Sequence, residues 1–304
     1  MTDFYLITGF LGAGKTSFLK KFAKLFRGKK ISLIINEFGK EDIDSHLLED
    51  LQARLKSIIQ GSIFCVCRLE DFENALSDLL EDNPDVLLVE TSGLSDPSAI
   101  NQILQGPAYA GRFNYKGCIC IADALNFKKV IGTALVSQKQ ISLAGTVLLN
   151  KIDLADDLDE TKELIREHNP AAHIVESSFG AFPSEAEAIL LNPGAGESLE
   201  GPGRRDLTLQ SYLIKIDPEM TRDDLEAFIK LFIKETHRIK GFVKLTDGDF
   251  FVDCVADNLQ IKPGKQDRGQ INRLVALSGK GMATRAALRA AIGAYDNFEI
   301  SMES

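Results

Sequence analysis

The sequence predicts an α/β chain: a mostly parallel sheet covered by helices on both faces, followed by a smaller α+β domain. Three observations lead there. Short β-rich apolar runs alternate with helical patterns through the first two thirds of the chain. Several runs are almost wholly apolar, such as Val86-Leu87-Leu88-Val89, the pattern of strands buried on both faces. Beyond a Gly/Pro-rich stretch the order changes to strands and a hairpin interleaved with helices.

The elements follow in order. Candidate strands are Phe4–Thr8, Ile31–Asn36, Asp85–Glu90, Gly117–Asp123, Thr146–Asn150 and His173–Glu176. Helical spacing covers Ser17–Phe26, with Gly28 as its stop, then Glu70–Leu80 and Glu160–Glu167. Residues 192–206 carry Gly and Pro without apolar period and read as a linker between a first domain, 1–191, and a second, 207–304. In the second, Leu207–Ile216 reads as a strand, and Thr221–His237 as a helix capped by Thr221 with Asp224 in a capping-box position. Phe242–Leu245 and Phe250–Val255 flank the turn Thr246-Asp247-Gly248-Asp249 as a hairpin. Leu274–Leu277 is a short strand and Met282–Ile292 a closing helix.

Bulk properties narrow the function classes. The 304 residues suit two domains, and 44% hydrophobic with 26% charged content is ordinary for a globular chain. A net charge of −9 argues against nucleic acid as a partner. No apolar run reaches membrane-spanning length and Met1-Thr2-Asp3 lacks a leader pattern, so the expectation is a cytoplasmic protein without a membrane partner. Five cysteines in a long chain argue against a disulfide framework.

Chemistry enters at Gly9-Phe10-Leu11-Gly12-Ala13-Gly14-Lys15-Thr16, which fits G-x-x-x-x-G-K-[ST] between a strand and a helix. Glycines let backbone N–H groups approach phosphate oxygens, and the helix N-terminus adds a favourable dipole. The cradle is read as Gly9, Gly12, Ala13, Gly14, Lys15, Thr16 and Ser17, with Lys15 on the β- and γ-phosphates and Thr16 on Mg²⁺. This makes the first domain a P-loop nucleoside triphosphatase.

Two further segments extend the site. Asn150-Lys151-Ile152-Asp153 follows a candidate strand. An Asp carboxylate there accepts from both guanine N1–H and the N2 amine, donors that adenine lacks, and its partner-free state penalises the wrong base. Asn150 would meet the N7 side, Lys151 would pack its stem on the ring, and Ser178 would offer a backbone donor to O6. The alternative is a helix N-cap at Asp153. Glu90-Thr91-Ser92-Gly93 ends another strand, where an acidic group holds Mg²⁺, directly or through water, and Gly93 can sense the γ-phosphate. Its alternative is a plain strand end with a cap at Ser95 or Asp96.

Taken with Asn36-Glu37-Phe38-Gly39, a glycine–cysteine segment at Gly61–Cys67, and Arg238-Ile239-Lys240-Gly241-Phe242 at the entry to the second domain, this order of motifs resembles the CobW family of P-loop GTPases, relatives of the urease and hydrogenase nickel-insertion GTPases. The resemblance spans most of the chain. It implies slow GTP hydrolysis coupled to metal delivery or to assembly of a metallocentre or cobalamin enzyme. It implies GTP and Mg²⁺ as ligands, Zn²⁺, Co²⁺ or Ni²⁺ as cargo, and a client metalloenzyme or cobalamin-dependent protein as partner, with a homodimer also in view. It places Glu37 in the first switch region, near Mg²⁺ or the transferred metal. Lys15, Glu90 and Glu37 are then the catalytic candidates.

The family's metal motif is C-x-C-C after a glycine. Here Ser62 and Phe64 stand at two of the three cysteine positions, Cys65 matches the third, and Cys67 follows two residues on. Cys65 and Cys67 can give two soft ligands to a transition metal, with Glu37 or His46 completing the set; the alternative is two small packed hydrophobes. Cys118 and Cys120 read as core. A metal-free, GTP-gated assembly or reactivation factor docking on a corrinoid- or metal-dependent enzyme is the rival reading. A small-molecule kinase is disfavoured by Asn150–Asp153.

Overall fold

The computed structural model describes residues 1–36, 54–58, 69–194, 196, 209–264 and 271–303. It divides into two compact units, Met1–Ile131 with Leu135–Asp206, and Gly132–Ala134 with Leu207–Ser304.

The first unit holds strands β1 (Thr2–Thr8), β2 (Ile31–Asn36), β3 (Arg54–Ile58), β4 (Val86–Glu90), β5 (Phe113–Asp123), β6 (Thr146–Asn150) and β7 (His173–Glu176). They form one seven-stranded sheet in the order β3-β2-β4-β1-β5-β6-β7. Every neighbouring pair is parallel. All strand C-termini therefore open on one edge, and β1 sits where the order runs outward to both sides. That is where open α/β sheets bind ligands.

The helices are α1 (Lys15–Phe22), α2 (Leu69–Leu80), α3 (Ile100–Gln105), α4 (Phe127–Thr133), α5 (Leu135–Leu143), α6 (Leu158–His168) and α7 (Glu187–Leu191). They explain why the strands read as unbroken apolar runs. Phe4 and Leu6 of β1 enter a core with Phe72 and Leu76 of α2 and Ile165 of α6. Tyr5 and Ile7 enter a second core with Phe18 and Phe22 of α1 and Leu190 of α7. Tyr5 meets Phe22 edge-on at 5.4 Å between centroids, and Phe18 stacks on Phe22 at 5.2 Å. Each fully buried Phe contributes about 1.5–3 kcal/mol by leaving water, so this cluster holds α1 firmly under the loop that precedes it.

Departures from the expected elements have local causes. β5 starts at Phe113 rather than Gly117, because the chain passes through Gly117 at φ 134° with a register shift against β1 instead of stopping there. α1 ends at Phe22 and tightens into a 3₁₀ turn, Ala23–Phe26, before Gly28 at φ 84°. β3, α3, α4, α5 and α7 were not expected. β3, Arg-Leu-Lys-Ser-Ile, has no apolar run to announce it. The Gly/Pro-rich stretch begins tied to the first unit rather than free: Gly194 bridges Gly117, Pro193 O accepts from Thr146 Oγ1 at 3.1 Å, and Gly196 N donates to Leu143 O at 3.1 Å.

The second unit has strands β8 (Gln210–Lys215), β9 (Arg238–Leu245), β10 (Gly248–Val255), β11 (Asn258–Pro263), β12 (Arg273–Ser278) and β13 (Ser301–Glu303). Its antiparallel sheet runs β11-β10-β9-β12-β8-β13. Helices α8 (Arg222–Lys230) and α9 (Thr284–Ala294) give Leu225, Phe228 and Leu288 to a core with Ile214, Val243, Val252 and Leu274. β8-α8-β9 and β12-α9-β13 form a split β-α-β arrangement, extended from β9 by the β10–β11 hairpin. Thr221 and Asp224 make the expected capping box. The helix stops at Lys230, short of His237, and a 3₁₀ turn at Ile233–Glu235 leads into β9.

Candidate nucleotide site

The loop between β1 and α1 is closed by its own lysine. Lys15 Nζ donates to the carbonyls of Gly9 at 2.9 Å and Phe10 at 3.2 Å. Gly14 sits at φ 100° at the start of α1, and a Cβ there would lie 2.3 Å from Asn150 Nδ2. Glycine is thus required twice, by backbone conformation and by the side chain packed behind the loop. Gly9, Gly12, Ala13 and Ser17 complete the same loop and first helical turn.

Thr16 and Glu90, distant in sequence, meet. Thr16 Oγ1 donates to Glu90 Oε1 at 3.0 Å and lies 3.2 Å from Oε2. The pairing of β4 beside β1, with Ile7 opposite Glu90, brings them together. A hydroxyl and a carboxylate are hard oxygen donors, the set that suits Mg²⁺. Glu90 is buried, and the segment after it folds back on the loop: a Cβ on Gly93 would lie 2.6 Å from Leu11 N.

That segment is also gripped from α5. Gln140 Nε2 donates to Gly93 O at 3.3 Å and Ser95 O at 3.0 Å, and Lys139 pairs with Asp96 at 2.5 Å. Burial pushes the Asp96 carboxyl up, but the Lys139 ammonium and the Ser98 donors outweigh it and hold it below the ordinary range. Asp96 caps the next 3₁₀ turn through Ser98 N. The cap alternative therefore holds for Asp96, while Glu90 keeps its link to Thr16.

Asn150 joins the two motifs. Its Nδ2 donates to Ala13 O at 2.8 Å, and its Oδ1 accepts from Ser177 Oγ at 3.1 Å and Gly180 N at 2.9 Å. The bond to Ala13 uses one of the two amide hydrogens. Lys151 takes a left-handed conformation, φ 63°, and its Nζ pairs with Asp123 Oδ2 at 2.7 Å. Asp153 lies exposed in the 3₁₀ turn Ile152–Leu154, and among the described residues its carboxylate makes no hydrogen bond. It caps no helix: Asp157 caps α6, accepting from the N–H groups of Asp159 and Glu160. Ser178 holds the turn after β7 by accepting from Ala181 N at 2.9 Å.

Glu37, His46, Cys65 and Cys67 lie outside the described residues. Among the described residues no group of three or more His, Cys, Asp or Glu is placed to hold a metal, and no helix is long and apolar enough to cross a membrane. Cys118 and Cys120 are buried in the sheet, and burial pushes both thiols up, Cys120 to about 12.

Sequence reasoning missed Asp123 and Gln140. Asp123 had a signal, a carboxylate at the same sheet edge as Glu90 and Asn150. Gln140 had none, since only packing brings α5 against residues 93–95. Asp123→Ala is expected to release Lys151 and weaken guanine-nucleotide binding about 10-fold, a charge-assisted bond being worth roughly 1.5–3 kcal/mol. Calorimetric titration with GDP checks it; an unchanged Kd removes Asp123 from the site.

Comparisons with known proteins converge on the same region. Residues 3–176 match the family model "CobW/HypB/UreG, nucleotide-binding domain". The chain is 32% identical over 182 residues to the zinc chaperone YjiA of Escherichia coli, covering 58% of this chain and 57% of that one. It is 36% identical over 156 residues to the zinc chaperone YeiR of the same organism, covering 50% and 47%. To the zinc-regulated GTPase metalloprotein activator 1 of Schizosaccharomyces pombe it is 26% identical over 302 residues, covering 81% and 73%. The chain thus spans about half the length of the first two curated relatives. With the family model covering more than half of its length and the loop, Glu90 and Asn150 gathered on one sheet edge, this chain belongs to the CobW/HypB/UreG family.

Proposed function

We propose that this chain binds GTP with Mg²⁺ at the C-terminal edge of its parallel sheet, hydrolyses it slowly, and couples nucleotide state to delivery of zinc to a client metalloprotein. The Asn150–Ala13 hydrogen bond carries the reading. It ties the Asn150–Asp153 segment to the phosphate loop, which supports one ligand spanning both.

Each residue has a task in this reading. Gly9–Ser17 amides and Lys15 hold the phosphates. Lys15 exchanges its bonds to Gly9 and Phe10 for phosphate oxygens, charge-assisted contacts of greater strength. Thr16 and Glu90 would hold Mg²⁺, which when bound neutralises phosphate charge. Glu90 is already engaged with Thr16, which supports a metal-side task over that of a water-activating base. Gly93 lies against Leu11 and would respond to the γ-phosphate. Asn150, Lys151, Asp153 and Ser178 surround the base.

Zinc is favoured as cargo over cobalt or nickel because the relatives named above are described as zinc chaperones or a zinc-regulated activator. Cys65, Cys67 and Glu37 are the proposed cargo ligands. The test is zinc stoichiometry on purified protein with and without GTP. Wild-type protein is expected to retain zinc through gel filtration. Cys65→Ser with Cys67→Ser should lose it while binding GTP normally. Unchanged zinc in the double variant refutes the cargo assignment and leaves the nucleotide site standing.

A further inference from the structure

The turn after Glu90 is anchored more heavily than a strand end requires. Ser92–Ser95 closes on itself, with Ser95 N donating to Ser92 O at 3.0 Å and Leu94 N to Ser92 Oγ at 3.2 Å. Its start is fixed beside β1, where Thr91 N donates to Ile7 O at 2.9 Å. A helix from elsewhere in the chain then adds a third hold. Gln140 of α5 uses both hydrogens of its amide on this one turn, donating to Gly93 O at 3.3 Å and Ser95 O at 3.0 Å. The two carbonyls bracket Leu94, so one side chain fixes the turn on both sides of that residue.

Packing alone does not account for an amide here. Gln140 is 1% exposed, and among the described residues its Oε1 has no hydrogen-bond partner. The same holds for Ser137 Oγ, one turn earlier on α5. A buried polar atom without a partner costs stability that an apolar side chain of the same size would not. The donor side of Gln140 therefore has to explain the residue, and all of it is given to Ser92–Ser95. α5 is also a firm support. At its C-terminal end Asn169 Nδ2 donates to Ile141 O at 2.8 Å and Ala144 O at 2.7 Å, and the chain runs from there into β6.

We propose that Gln140 is a positioning residue through which the site tells GTP from GDP. This rests on the reading of the sheet edge as a GTP site with Gly93 at the γ-phosphate, and it names the side chain that makes Gly93 ready. Held by Gln140, Gly93 stays packed against Leu11 of the phosphate loop, where a Cβ would come within 2.6 Å of Leu11 N. GTP then meets a turn that is already ordered. Without the amide, ordering the turn opposes GTP binding. GDP has no γ-phosphate and gains nothing from that order. Gln140 thus acts on the difference between two nucleotides rather than on affinity in general. It touches neither nucleotide nor metal in this scheme; its effect passes through the Gly93 and Ser95 carbonyls.

The test uses the full chain with Mg²⁺ and two fluorescent probes, mant-GDP and the mant derivative of a non-hydrolysable GTP analogue. Gln140→Met keeps the length of the side chain and removes both donors. It should weaken the GTP analogue about 10-fold, the effect of two neutral hydrogen bonds, while mant-GDP affinity stays within about twofold. In steady-state hydrolysis KM should rise with the loss of affinity and kcat at saturating GTP stay within about threefold, because bound GTP orders the turn in either protein. Ser137→Ala, buried on the same helix and bonded to no part of the turn, should leave both affinities unchanged. An unchanged ratio of the two affinities in Gln140→Met overturns the proposal. Equal weakening of both probes does so too, because it marks a side chain that supports the site as a whole. A shift in Ser137→Ala as large as that in Gln140→Met has the same consequence. A wild-type chain that binds neither probe refutes the GTP-site reading and this inference with it, whereas wild-type binding with an unchanged ratio in Gln140→Met refutes this inference alone.

Discussion

Asp153→Asn is expected to convert a guanine site into a xanthine site. Guanine presents two donors, N1–H and N2–H, to the carboxylate. Xanthine presents one donor and one carbonyl, the complement of an amide. Two charge-assisted hydrogen bonds at roughly 1.5–3 kcal/mol each put the loss of GTP affinity at about 10²- to 10⁴-fold. The variant should fold normally, because Asp153 is exposed and, among the described residues, supports no hydrogen bond. The backbone around it is fixed independently, by Ile152 N to Ser177 O at 3.3 Å and Leu154 N to Lys151 O at 3.0 Å. Competition of GTP and XTP for a fluorescent nucleotide measures the change. If Asp153→Asn keeps its preference for GTP, the carboxylate does not read the base.

Glu90→Gln is expected to lower kcat for GTP by about 10²- to 10³-fold, the usual cost of removing one charged group from a preorganised phosphoryl-transfer site. Glutamine keeps an oxygen that accepts the Thr16 hydroxyl, so the Thr16 link and the buried packing survive. The carboxylate charge alone is lost. GTP affinity measured with Mg²⁺ chelated should therefore not fall, because removing a carboxylate beside the phosphates relieves its repulsion of the metal-free nucleotide. Single-turnover hydrolysis over a Mg²⁺ titration separates the two quantities. Wild-type kcat in Glu90→Gln would move the metal-binding task to another residue.

The two substitutions bracket the site. In the proposed site Asp153 would read the base from an exposed turn, and Glu90 would act on the phosphate side from a buried strand end. Both depend on a parallel sheet that brings every strand's C-terminus to one edge. Five of those ends supply residues of the proposed site: β1 leads into the loop, β4 gives Glu90, β5 Asp123, β6 Asn150 to Asp153, and β7 Ser177 and Ser178.

Much of this was legible in the sequence because it is local. The loop needs glycines at fixed spacing, a strand before it and a helix after it, and all are contiguous. Strands buried on both faces announce themselves as apolar runs, so β2 and β6 were read to the residue. Thr221 and Asp224 are three positions apart, and capping is a short-range interaction. β3 escaped because Arg-Leu-Lys-Ser-Ile looks like solvent-facing chain, α4 because it is short, and α5 because its apolar periodicity is weak.

The sequence by itself determined that a phosphate loop exists, that an Asn-Lys-x-Asp segment follows a later strand, and that a second domain comes after. Only the tertiary structure decided how these act together. Asn150 bonds Ala13, 137 positions away, Thr16 bonds Glu90, 74 away, and Gln140 grips the turn at Gly93, 47 away. The physical reason is common to all of them. Propensity and periodicity are set by neighbours along the chain, whereas hydrogen bonds and charge clusters depend on which strands pair and in what register.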